Sequence, residues 1–94
     1  IMNNFSIKIQ AVNKIGDVLQ TLETQALTAN TQATAERQLL LDTNIKALYL
    51  NNVQKLNVSH RDSRNYDGTL ISRTLSAPGE DDVRFTLVPP STAC

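Results

Sequence analysis

Ninety-four residues make one small domain at most, and a chain this short buries only about 60 to 65% of its unfolded surface, so it reads as one that needs help to be stable. Nine Lys and Arg cancel nine Asp and Glu, aromatics are 4% and the hydrophobic fraction is 40%, which excludes a basic nucleic-acid module, a membrane span and a highly charged disordered tail. The one cysteine, Cys94, is the last residue, so a disulfide scaffold and a Cys-rich metal site are excluded and any disulfide must join two chains. Uncharged polar side chains dominate instead: nine Asn, six Gln, six Ser and ten Thr. Ile1 precedes Met2, which fits a processed product or a piece of something longer, and nothing in the chain reads as a signal peptide.

Residues 1–10 read as an extended or strand-like start, because Phe5, Ile7 and Ile9 alternate with Ser6, Lys8 and Gln10. The same stretch also fits a helix through Phe5, Ile9 and Val12. Residues 11–57 read as a long amphipathic helix. Neither Gly nor Pro occurs between Asp17 and Asp67, and Val12, Ile15, Leu19, Leu22, Ala26, Ala29 and Ala33 recur at spacings of three and four. That is an a/d-type seam of the kind coiled coils use. It shifts past Glu36 to Arg37, Leu41, Ile45 and Leu48, a stutter. A continuous helix of this length would be near 70 Å long and would need partners to bury its seam. The competing reading breaks it near Asn30, with Thr34 capping the second arm of a helical hairpin.

Residues 58–68 are polar and charged and read as a loop. Residues 69–88 read as a β-hairpin, since Val83, Phe85 and Leu87 alternate with Arg84 and Thr86, Ile71 and Leu75 share one side of the earlier run, and Pro78-Gly79 suits a type II turn. Pro89-Pro90 ends the second strand and leaves residues 89–94 as a tail. The expected class is therefore α+β: one long helix, or a helical hairpin, followed by a C-terminal β-hairpin that must dock on something because two strands alone are marginal in water.

Chemistry is sparse. His60-Arg61-Asp62 matches three letters of a kinase catalytic loop without the glycine-rich loop or the Asp-Phe-Gly that would accompany it. His60 with Asp62, Asp67 and Ser59 or Ser63 resembles a hydrolytic set in composition, but neighbours on one segment rarely converge as a triad must. Glu80-Asp81-Asp82 lacks the spacing of a calcium loop. The glycines are scattered singly, so no phosphate cradle forms. Arg61, Arg64, Arg73 and Arg84 offer the makings of a patch for phosphate or carboxylate. Asn4-Phe5-Ser6 and Asn57-Val58-Ser59 are glycosylation sequons that matter only in a secreted eukaryotic chain.

The expectation is a non-enzymatic structural or assembly protein without metal or cofactor, a small connector or fibre-type component of a multi-chain particle such as a virion or phage tail. Its partners are other protein chains, without nucleic acid or a membrane span. The helix contacts come from Val12, Ile15, Leu19, Leu22, Ala26, Ala29 and Ala33 with Leu41, Ile45 and Leu48, while Val83, Phe85 and Leu87 dock on a neighbour. The alternative is a linker or adaptor subunit that folds against larger subunits of a cellular complex, including pigment-protein or secretion assemblies.

Overall fold

A computed structural model describes residues 2–90; Cys94 and the end of the expected tail lie outside them. Strand β1 (Asn3–Val12) turns back into β2 (Val18–Ala29), a helix α1 (Gln32–Gln54) follows, and β3 (Ser59–Arg64), β4 (Leu70–Ser76) and β5 (Asp82–Val88) complete the chain. The strands form a single sheet in the order β2-β1-β5-β4-β3 with every neighbouring pair antiparallel. The long helix expected over residues 11–57 is therefore corrected. Only residues 32–54 are helical, strands lie on both sides of the helix in sequence, and β4 and β5 are two of five strands rather than a separate C-terminal hairpin. No coiled coil is present among the described residues, and no helix there is long and apolar enough to cross a membrane.

The break comes where Asn13 and Gly16 stand. The Asn13 side chain accepts the N–H groups of Ile15 and Asp17, and Gly16 takes a φ of 93° that few other residues tolerate. Beyond that turn, the three-and-four spacing has a strand origin. Ile9 pairs with Glu23 and Gln10 with Thr21, then Ala11 with Gln20 and Val12 with Val18, so Leu22 and Leu19 are each an extra residue in β2. A bulge adds one residue to the two-residue repeat of a strand, which generates spacings of three without helical winding.

A third irregularity lies in β4. Ser63 pairs with Ser72 and Arg64 with Leu70, leaving Ile71 unpaired and partly exposed while Leu70 turns into the core. The polar stretch expected as loop contains β3, whose six residues are all exposed. An edge strand with no covered face has no apolar side to alternate, and its charges discourage pairing with other chains.

The helix starts where Thr31, in extended backbone, accepts the Thr34 N–H through its hydroxyl at 3.1 Å. Thr31, rather than Thr34, is thus the cap. Ala35, Leu39 and Thr43 are fully buried beneath the helix; the Thr43 hydroxyl is satisfied by donating to the Leu40 carbonyl at 2.9 Å. Ala35 and Leu39 meet Phe5 and Ile7 of β1, Ala29 at the end of β2, Leu70 and Leu75 of β4 and Phe85 and Leu87 of β5, which form one core on one face of the sheet. Among the described residues, no element forms a layer over the other face.

The helix ends at Lys55, whose backbone sits in the left-handed region at φ 58° while its N–H bonds to the Asn51 carbonyl. A side chain there carries a steric cost that glycine avoids. Lys55→Gly is expected to raise the unfolding free energy by about 1 kcal/mol, read as a higher urea midpoint at unchanged slope.

Candidate functional site

The helix crosses from one edge of the sheet to the other. Its 23 residues span about 34 Å, whereas five strands at about 4.8 Å spacing put the two edges only about 19 Å apart. The first half packs tightly. Beyond Thr43, Ala47 still packs against the core, but Leu50 is only partly buried and Lys46 and Val53 are exposed. Beneath this second half lies a groove of about 980 Å³. Ile9, Leu75, Val83 and Phe85 line it from the sheet, Ile45, Tyr49 and Leu50 from the helix, and the bulged Leu22 closes one side. Around it stand the carboxylates of Glu23, Asp42, Glu80 and Asp81, with Lys46 as the one cation among the described lining residues. The Lys46 ammonium is 6.0 Å from the centre of the Tyr49 ring.

The residues expected to form one interface are distributed as follows. Val12 is buried on the uncovered face of the sheet, Ile15 stands 83% exposed at the hairpin turn, and Ala26 pairs with Ser6 on the uncovered face. Ala29 is in the core and Ala33 is exposed in the first turn of the helix. Leu19, Leu41 and Leu48 are exposed outside the groove. Val83, Phe85 and Leu87 do share a face of β5, but their own helix side covers it: Phe85 and Leu87 are in the core, and Val83 packs against it. Leu22, Ile45, Val83 and Phe85 are the members that the fold brings to one groove. Ile9, Leu75, Tyr49 and Leu50 join them and were absent from the expected set. The alternation through Ile9 and Leu75 was a usable signal for the floor; nothing in the sequence placed the helix over it.

Away from the groove, Asp62 and Asp82 are tied up in structural pairs. On the helix side, Arg73 donates to both oxygens of Asp62, at 2.6 and 2.9 Å, and to Asn44 of the helix at 3.2 Å, so it links β3, β4 and α1. Those hydrogen bonds hold the Asp62 carboxyl below the ordinary Asp range. On the uncovered face Asp82 is buried. Its burial alone would raise its pKa, but Lys14 at 2.6 Å, Ser76 at 2.7 Å and Arg61 at 3.4 Å together outweigh this and lower it. Lys8 and Arg84 share that face, Arg84 donating to Gln10 at 3.3 Å.

Strand alternation also dissolves the hydrolytic set. His60 and Asp62 lie on the helix side of β3, opposite Leu75 and Arg73, while Ser59 and Ser63 point the other way. Among the described residues no group of three or more His, Cys, Asp or Glu is placed to hold a metal ion. Of the four arginines, Arg61 and Arg84 are on the uncovered face and Arg73 is in the helix–sheet interface. Arg64, at the end of β3, lies 3.6 Å from Glu36. No single Arg patch forms.

No protein-family model, no curated protein and no solved structure matches the chain.

The lowered carboxyls of Asp62 and Asp82 make stability depend on pH. A carboxyl whose folded pKa lies below its unfolded value contributes stability that is present above the unfolded pKa, about 3.9 for Asp, and is lost as pH falls through the folded one. Urea midpoints are therefore expected to hold from neutrality to about pH 4 and to fall below it. Asp82→Asn should lower the neutral midpoint and flatten that acid limb.

Proposed function

We propose that this chain is a non-enzymatic assembly component, a small structural part of a larger multi-chain particle such as a virion or phage tail, that joins its neighbours through the open groove between α1 and the sheet. The observation that carries this reading is the unfinished core. Apolar side chains that a self-sufficient domain would bury stay accessible there, and Ile45 and Tyr49 are 57% and 58% exposed at its mouth. A contiguous apolar opening of that kind marks an interaction site more often than a free surface. Of the carboxylates grouped with His60 in the sequence, Asp62 is held by Arg73, and Asp67 lies in the turn beyond the far end of β3, where Thr69 holds it, so neither supports a catalytic reading over the assembly one.

A partner-dependent adaptor that is unfolded alone is disfavoured by the same packing. Ile7, Ala29, Ala35, Leu39 and Thr43 are at most 1% exposed within a single chain, so the fold has its own core over half the sheet. Under the assembly reading, the tagged chain in native extracts should sediment well above monomer mass. Ile45→Asp with Tyr49→Asp should return it to monomer mass with unchanged far-UV circular dichroism, since both side chains are exposed. A native chain that sediments as a monomer would refute the proposal.

A further inference from the structure

The groove has a charge as well as a shape, and the two together specify its occupant. At roughly 30 Å³ per water molecule, 980 Å³ holds on the order of thirty waters, room for several side chains. Its floor and roof are aliphatic and aromatic. Its mouth carries four carboxylates against one ammonium, and among the described residues none of Glu23, Asp42, Glu80 or Asp81 is ion-paired.

The chain as a whole is neutral, so this is segregation. The uncovered sheet face carries Lys8, Lys14, Arg61 and Arg84 with Asp82 as its carboxylate. Low-dielectric walls beneath a rim of one sign concentrate the field at the opening. Two copies meeting groove to groove about a two-fold axis would bring eight carboxylates against two ammoniums, which disfavours an isologous dimer through this site.

We infer that the groove takes a segment of a different protein chain in which apolar side chains, inserted over Ile9, Val83 and Phe85, are interleaved with Lys or Arg that reach the carboxylates of the rim. This deepens the assembly reading and rests on it. The apolar side chains complete the core layer that α1 leaves open beyond Thr43. The cations give orientation and faster encounter, and their share weakens with added salt.

The test uses two fluorescein-labelled peptides of equal length, one alternating Leu with Lys and the other Leu with Glu, titrated with the whole chain by fluorescence anisotropy. The Leu–Lys peptide should bind about tenfold or more tightly than its Leu–Glu counterpart at low ionic strength, and the gap should narrow as salt is raised. Glu80→Lys with Asp81→Lys should abolish or invert the preference; both residues sit in an exposed turn, so circular dichroism should be unchanged. Leu22→Ser, at an exposed bulge, should weaken the Leu–Lys peptide several-fold. Equal affinity for the two peptides, or a Lys preference that survives the charge reversal, would overturn the inference. So would light scattering that gives a dimer protected from hydrogen exchange at Leu22 and Ile45. A chain found in a large native complex that fails to discriminate the peptides loses only the partner chemistry; one that discriminates them but is monomeric in native extracts loses only the assembly reading.

Discussion

The pairing of β1 with β5 carries the sheet. Seven residue pairs, from Ser6 with Val88 to Val12 with Asp82, join the first strand to the last, and without them the chain falls into a hairpin of β1 and β2 and a meander of β3, β4 and β5. Neither part has a complete apolar face of its own. Phe5 and Ile7 come from one, Leu70, Leu75, Phe85 and Leu87 from the other, and α1 packs only once both are in register. Contacts between residues this far apart in sequence must close a large loop before they stabilise anything, so folding is expected to be limited by this step rather than by the helix.

The open groove follows from the same constraint. The chain leaves β2 at one edge and must enter β3 at the other, and one helix makes the whole passage. Small or buried groups at Ala35, Leu39 and Thr43 allow close approach early in that passage, while Lys46 cannot be buried without a partner for its charge. The sheet below does not change its character at that point: Ile9, Leu75, Val83 and Phe85 are as apolar as the floor under Leu39. The apolar floor continues past the point where the underside of the helix stops being fully buried, and this leaves the space that the proposed partner fills.

Part of this was legible in the residues. Pro78 and Gly79 lie in the turn between β4 and β5, with Gly79 at φ 77°, and the alternation of Val83, Phe85 and Leu87 corresponds to one face of a strand. The β1–β2 hairpin was not legible, because Leu19 and Leu22 are bulge residues and their extra positions imitate a helical period. An unbroken run without Gly or Pro after Asp17 added to the impression, although Asn13 and Gly16 already supplied the turn. Strand β3 was hidden for the opposite reason, having no apolar side at all. Ile71 and Leu70 exchanged roles through a bulge that only the partner strand reveals. For the site, Leu22, Ile45, Val83 and Phe85 were candidates on a helical argument that does not hold. What unites them is the path of α1 over the sheet, which no local pattern encodes.

The two bulges of β2 have a further consequence for solubility. Strand β2 is an outer strand, twelve residues long, rich in Thr and Leu, and among the described residues no strand pairs with its outer N–H and C=O groups. A straight strand of that composition is a template for stacking one molecule on the next in the manner of a fibril. With an additional residue at Leu19 and another at Leu22, the outward backbone groups fall out of step over the half nearest the turn, and only residues 23–29 keep a regular repeat. The irregularity that disguised the strand in the sequence is thus also a safeguard, confining any unwanted strand addition to a short stretch beside the helix N-terminus.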